Sequence, residues 1–252
     1  MTATHVGLSI RLRSLLFFVL YNLLGILHGS LSLLLAPLMN FEQRYRFVNL
    51  WTHLSMWLLR HLNGIRIEVI GRENLPRDQA VVVMANHQSE WETFFLQVLV
   101  SPQATVLKRE LLQVPFFGWA VSLLRPIAID RSKPVHAMKM LLRQGKERLD
   151  AGVSVVIYPE GTRQPPGCIG PFNPGGARLA CHAGRRVVPM VHNAGDCWPA
   201  RSIWRIPGTI RLVIGEPMGC EGGAEELKSR VERWMRETSV SLRAGGFSDS
   251  PA

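Results

Sequence analysis

The chain has 252 residues, 47% of them hydrophobic and only 19% charged, enough for one large domain with a sizeable core and incompatible with a disordered chain. Lys and Arg number 29 against 19 Asp and Glu, a net charge of +10 that points to an anionic partner: nucleic acid, an anionic membrane or a phosphorylated substrate. Cys168, Cys181, Cys197 and Cys220 form no C-x-x-C pair, which argues against a zinc ribbon or a thioredoxin-type pair; they are expected to be reduced and mostly buried.

In chain order, the first feature is a stretch without formal charge from Ser14 to Phe41. Within it, Leu15 to Leu35 is dominated by Leu, Phe, Val and Ile, interrupted by Asn22, Gly25, His28, Gly29, Ser30 and Ser32. About 20 apolar residues suffice for a helix to cross a bilayer, but the interruptions fit a half-buried hairpin or an interfacial helix equally well. Arg11 and Arg13 precede the stretch and Arg44 and Arg46 follow it, so the flanks set no orientation. A signal peptide would be shorter and end in a small-x-small site. Next, Phe47, Trp51, Leu54, Leu58 and Leu62 recur at helical spacing, predicting a helix that packs on the following domain or sets Trp51 and Trp57 at headgroup depth. Residues 1–62 are therefore expected to form a membrane-associated helical segment.

From Gly64 the pattern changes. Ile65 to Ile70 alternates as a half-buried strand, and Ala80 to Met84 is a continuous apolar run, hence a central strand buried on both faces. Further strands are predicted at Thr105–Leu107, Pro126–Ile129, Val153–Tyr158, Val187–Val191 and Ile210–Ile214, with helices at Val135–Asp150 and Ala224–Leu242. This alternation predicts an α/β domain over residues 63–244, a mostly parallel mixed sheet flanked by helices, and a frayed tail over 245–252.

Two strand ends carry chemistry. After the second strand come Asn86-His87-Gln88-Ser89-Glu90-Trp91-Glu92. With His87 in a loop and Glu92 in the first helical turn the two side chains can meet, and a carboxylate on one ring nitrogen leaves the other as a base. The competing reading is that His87 packs under the helix and Glu92 only answers its dipole. After a later strand come Tyr158-Pro159-Glu160-Gly161-Thr162-Arg163, where Gly161 permits a tight turn and the Arg163 guanidinium suits phosphate. Taken alone, this is also ordinary turn chemistry.

Together and in order, these stretches resemble the glycerolipid acyltransferase family, especially its 1-acylglycerol-3-phosphate members. The resemblance rests on Asn86-His87 with Glu92, on Lys108 to Leu111 with Pro115, Gly118, Trp119 and Ile129-Asp130-Arg131, on Pro159 to Arg163, and on Val188-Pro189-Met190. It spans roughly residues 64 to 217. It departs at Glu92, where Asp is usual, and at Gln164-Pro165-Pro166-Gly167, where basic residues are often seen.

The resemblance implies transfer of a fatty acyl group from a thioester, of CoA or of acyl carrier protein, to the free hydroxyl of a lysophospholipid. His87 would be the general base and Glu92 its orienting partner. In the acceptor site of Glu160, Gly161, Thr162 and Arg163, Arg163 would hold the phosphate while Glu160 and Gly161 shape the loop, with Lys108 and Arg131 as further phosphate or oxyanion contacts. Neither metal nor redox cofactor is implied. The expected partners are the lysophospholipid, the acyl donor and an anionic membrane surface, at the cytoplasmic face of a bacterial inner membrane. A serine or cysteine hydrolase is disfavoured, since Ser89 lacks a Gly-x-Ser-x-Gly elbow and the cysteines lie outside these blocks. Nucleic-acid binding is disfavoured because Lys and Arg are dispersed without a recognition motif. Another lysolipid acceptor, or a catalytically silent lipid-binding protein, remains an alternative.

Overall fold

A computed structural model describes residues 7–245; the expected tail, Gly245 apart, lies outside them. The chain opens with a helical hairpin of α1 (Leu8–Leu35) and α2 (Phe41–Asn63). Pro37 sits in the single turn between them, and Asn40 starts α2 with a capping box: its side chain accepts the Gln43 N–H at 2.9 Å and its own N–H reaches the Gln43 side chain at 3.0 Å.

The hairpin buries a mixed polar and apolar seam and leaves many large apolar side chains exposed. Helix α1 buries Ser14, Phe17, Gly29 and Ser32 and exposes Leu12, Leu16, Leu23, Leu27 and Leu34. Helix α2 buries Tyr45, Asn49, Thr52, Ser55, Leu59 and Asn63, while Leu50, Leu54 and Trp57 face outward. Of the stripe expected to pack on the domain or to set Trp51 and Trp57 at headgroup depth, Leu58 and Leu62 are half-buried against the core and Trp51 against Tyr21 and Phe94, while Leu54 and Trp57 are exposed. The face of α2 most deeply buried is instead the largely polar one of Asn49, Thr52, Ser55 and Asn63 with Tyr45 and Leu59. Tyr45 ties the hairpin down, donating to the Gln97 carbonyl at 2.8 Å and accepting the Gln103 N–H at 3.2 Å.

Every predicted strand is present, within a residue or two. They are β1 (Ile65–Ile70), β2 (Val82–Ala85), β3 (Gln103–Lys108), β4 (Ile127–Ile129), β5 (Ser154–Ile157), β6 (Val187–His192) and β7 (Gly208–Ile214). The sheet runs β1-β7-β6-β2-β5-β3-β4, parallel throughout except at β6–β7. The remaining helices are α3 (Trp91–Leu99), α4 (Phe117–Ser122), α5 (Pro134–Asp150), α6 (Gly175–Ala183), α7 (Ala194–Cys197) and α8 (Gly223–Arg243).

Because side chains alternate along a strand, Val82 and Met84 of β2 pack toward Leu141 of α5, Leu179 of α6 and Val231 of α8. Val83 and Ala85 pack with Phe17 of α1, Leu59 of α2, Trp91 of α3 and Ala194 of α7. The result is three layers with β2, β5 and β6 at the centre. Gly118 in α4 admits no side chain: a Cβ would lie 2.3 Å from the Leu111 carbonyl oxygen.

The cysteines correct the expectation of reduced, mostly buried thiols. Cys181 on α6 and Cys220 form a disulfide, Cα atoms 5.4 Å apart, and Cys168 is exposed; Cys197 alone is buried and free. The chain after β7 bridges Met218 to Val187, two N–H···O bonds of 2.8 Å, and this return brings Cys220 beside α6. Thirty-nine residues of separation hide that proximity in the sequence.

Candidate active site

Five strands, β6, β2, β5, β3 and β4, run parallel, so their C-terminal ends share one edge of the sheet. Ligands of open α/β sheets bind at this edge. It gathers the segments after Ala85, Ile157, His192, Lys108 and Ile129.

The β2 end leads into the loop carrying His87. Nδ1 of His87 lies 2.8 Å from Oε1 of Glu92, which is completely buried. A carboxylate only accepts, so Nδ1 carries the proton, and Nε2, with no hydrogen bond among the described residues, keeps its lone pair. The same Oε1 accepts the N–H groups of Gln88 (2.9 Å) and Ser89 (2.8 Å). Glu92 thus holds the turn into α3 and the His87 ring through one oxygen. Burial opposes its charge, but His192, His87 and the Ser89 N–H outweigh that and hold the carboxyl below its ordinary value. One extra methylene relative to Asp does not prevent the contact.

The backbone of His87 is held equally firmly. Its N–H donates to Oε2 of Glu160 at 2.7 Å, and its carbonyl accepts the Gln164 N–H at 2.7 Å. The ring stacks on Tyr158, centroids 4.5 Å apart at 19°. Glu160, expected in the acceptor site, has both oxygens committed to main-chain N–H groups, the second from Gly170 at 3.0 Å. It braces the loop beneath the base. Burial pushes its carboxyl up to about 7 despite those two bonds.

Gly161 turns the chain at φ +70°, its N–H closing on the Tyr158 carbonyl at 3.0 Å and its own carbonyl accepting from Arg131. A Cβ there would be strained by the positive φ and would lie 3.2 Å from Asn173 Nδ2. Arg163 reaches toward Glu90, Nη1 to Oε1 3.7 Å, and Lys108 pairs with Glu110 at 3.2 Å.

Lys108, Arg131, Gly161, Thr162, Arg163 and His87 line a single open cavity of about 2200 Å³. Its remaining walls are largely apolar and include Tyr21, Trp51, Phe94 and Phe117. Pockets for compact ligands hold about 300–1000 Å³, so this one suits substrates with long chains. Of the two predicted carboxylates, Glu160 has both oxygens engaged by main-chain N–H groups, whereas Glu92 uses only Oε1. Sequence reading missed the structural parts played by Tyr158, Asn86, Gln164 and His192. Tyr158 immediately precedes the Pro-Glu-Gly turn, which is the one signal that pointed to it.

A three-layer α/β domain with a histidine–carboxylate pair at the C-terminal sheet edge, facing a basic and apolar cavity, has the architecture of a lipid acyltransferase. The Acyltransferase family pattern matches residues 66–193, and the chain belongs to that family. It is an enzyme of the acyl-transferring class. A 1-acyl-sn-glycerol-3-phosphate acyltransferase of Pseudomonas aeruginosa is 48% identical over 236 residues, covering 92% of this chain and 91% of that protein. The 1-acyl-sn-glycerol-3-phosphate acyltransferase alpha of Homo sapiens is 32% identical over 203 residues, 77% of this chain and 72% of that one. The crystal structure of the 1-acyl-sn-glycerophosphate (LPA) acyltransferase PlsC from Thermotoga maritima superposes with a TM-score of 0.77 at 26% identity, covering 93% of this chain and 97% of that chain.

Proposed function

We propose that the protein transfers a fatty acyl group from a thioester of CoA or acyl carrier protein to the sn-2 hydroxyl of 1-acylglycerol-3-phosphate, forming phosphatidic acid. The observation carrying this reading is the free Nε2 of His87 on the wall of a cavity with basic groups nearby and apolar walls beyond. Nε2 takes the hydroxyl proton as the oxygen attacks the thioester carbon; the C–O bond forms, the C–S bond breaks and the thiolate departs, receiving the proton from His87 or solvent. General-base help of this kind is worth about 10²–10⁴-fold. Glu92, ionised and buried, steadies the transient imidazolium. Arg163, Arg131 and Lys108 receive the acceptor's phosphate beside Thr162, on the loop that Glu160 and Gly161 shape, Arg163 releasing Glu90 to do so. No metal or redox cofactor takes part.

The hairpin docks this cavity against a bilayer. Leu12, Leu16, Leu23, Leu27 and Leu34 on α1, with Leu50, Leu54 and Trp57 on α2 and Val114, Phe116 and Trp119 near α4, are all exposed, and exposed large apolar side chains in such number suit a lipid surface. The basic excess suits the anionic cytoplasmic face of a bacterial inner membrane. Gln164 to Gly167, where other members carry basic residues, make the acceptor headgroup the finer question. A panel of lysolipids with phosphate, phosphoethanolamine or amino-acid headgroups, assayed at saturating acyl-CoA and acyl carrier protein thioester, tests it. The phosphate acceptor should give the highest kcat/KM; preference for an amino-lipid would overturn the acceptor assignment.

A further inference from the structure

His192 belongs to none of the motifs discussed above, yet it closes β6 directly beside the base. It is completely buried, and both ring nitrogens are used. Nδ1 accepts the Ala194 N–H at 3.2 Å, so Nε2 carries the proton and donates it to the main-chain oxygen of Asn86 at 2.9 Å. The Asn86 side chain returns the contact twice: Nδ2 donates to the His192 carbonyl and Oδ1 accepts the His192 N–H, both at 2.9 Å.

The Asn86 carbonyl belongs to the peptide that joins Asn86 to His87, and the N–H of that peptide is the one donating to Glu160. One peptide plane, immediately before the base, is therefore gripped from β6 on one side and from the β5 loop on the other. The same His192 Nε2 lies 3.9 Å from Oε2 of Glu92. That oxygen is buried and has no hydrogen-bond partner, since His87, Gln88 and Ser89 all bind Oε1. A buried, unpartnered carboxylate oxygen is costly unless a positive group lies near it, and the polarised N–H edge of His192 supplies one.

We infer that His192 is a positioning residue for acyl transfer, locking the peptide that carries His87 and steadying the outer oxygen of Glu92. The inference rests on the reading of His87 as base and deepens it. It also accounts for the Glu at this position: the additional methylene carries Oε2 toward His192, whereas an Asp reaching His87 would withdraw its outer oxygen.

The test compares His192→Leu, His192→Gln and Glu92→Asp, and His192→Leu combined with Glu92→Asp, in kcat, both KM values and melting temperature. Partners that orient a functional imidazole are typically worth about 10- to 100-fold in activity, by analogy with metal-bound histidines. His192→Leu should lose that much kcat with both KM values within about twofold, because it touches no substrate. His192→Gln, which keeps an N–H for the Asn86 carbonyl, should recover part of the loss. In the Glu92→Asp background, His192→Leu should cost less than it does in the parent, because part of its effect runs through the outer oxygen. Full kcat in folded His192→Leu, or a loss no smaller in the Glu92→Asp background, would overturn the inference.

A readout independent of turnover is the ring ¹H–¹⁵N spectrum of histidine-labelled protein without substrate. The parent should show a bonded, exchange-protected His87 Nδ1–H, and His192→Gln should shift it and expose it to exchange. An unchanged signal also overturns the inference. Should the parent fail to acylate lysophosphatidic acid, the acceptor reading falls, while this spectrum still decides the role of His192.

Discussion

Replacing Glu92 by Gln tests the electrostatics of the pair with little change in shape. In the better of its two orientations the amide oxygen takes the Oε1 position and keeps the Gln88 and Ser89 N–H groups, now 2.9 and 2.8 Å away. Its amide nitrogen then replaces Oε2 and points a donor at the Nε2–H of His192, 3.9 Å distant. Two contributions are lost. A charge-assisted bond to His87 becomes a neutral one, a difference of about 1–2 kcal/mol. The attraction between carboxylate and developing imidazolium, about 4 kcal/mol at roughly 4 Å and an effective dielectric of about 20, disappears from the transition state, partly compensated by relaxation. A net loss of about 2–4 kcal/mol corresponds to a fall in kcat of roughly 30- to 900-fold. The assay is kcat at saturating lysophosphatidic acid and acyl thioester, with circular dichroism to establish folding. His87→Ala should fall further, and the double variant little below it, because the two residues act as one unit. A folded Glu92→Gln with kcat within about threefold of the parent would refute a charge-dependent role.

Arg163→Lys should raise KM for the phosphate acceptor with little change for the acyl donor, because an ammonium cannot reproduce the guanidinium fork; equal damage to both points to loop support. Exchanging outward-facing Leu12, Leu16, Leu23 and Leu27 for Ser should release the protein from anionic vesicles in a sedimentation assay while changing its melting temperature little, since each lies outside the buried core; undiminished binding would sink the docking assignment. Burial holds His192 below its ordinary value near 6.5, so unfolding lets it take a proton, and its share of stability is complete above about 6.5 and lost as pH falls below it, at about 1.4 kcal/mol per pH unit while the two states differ by one proton. Glu160, raised to about 7, contributes with the opposite sign, losing stability as pH rises from about 4.5 through 7. The difference in melting temperature between the parent and His192→Gln isolates the first effect: the variant should be less sensitive to acid below pH 6.5, and parallel curves would count against it.

The sheet was readable because its strands are short apolar or alternating runs bounded by loops, as with Ala80 to Met84 and Ile65 to Ile70. The His87–Glu92 contact was readable for a similar reason: both partners lie within one strand–loop–helix transition. What stayed hidden depends on crossovers between strands. His192 reaches Asn86 across 106 residues, and Glu160 reaches His87 across 73. Both pairs meet because β6, β2 and β5 are neighbours, an order that no local pattern encodes. Glu160 shows the limit: its place in the loop-shaping Pro-Glu-Gly turn was clear, but which main-chain groups its carboxylate would hold depended on where His87 and Gly170 lie. The apolar spacing of α2 left its packed face open between two readings, and the structure buries Asn49, Thr52 and Ser55 most deeply while Leu58 and Leu62 pack beside them.

The account stands or falls on whether His87 drives acyl transfer to a lysolipid hydroxyl. Purified protein in detergent, given lysophosphatidic acid and a radiolabelled acyl thioester, should convert the label to phosphatidic acid acylated at sn-2, with no labelled protein trapped by acid quench. Folded His87→Ala should give none above the uncatalysed background. Phosphatidic acid formed at a near-normal rate by His87→Ala, or a covalent acyl-protein that accumulates and chases into product, would contradict it.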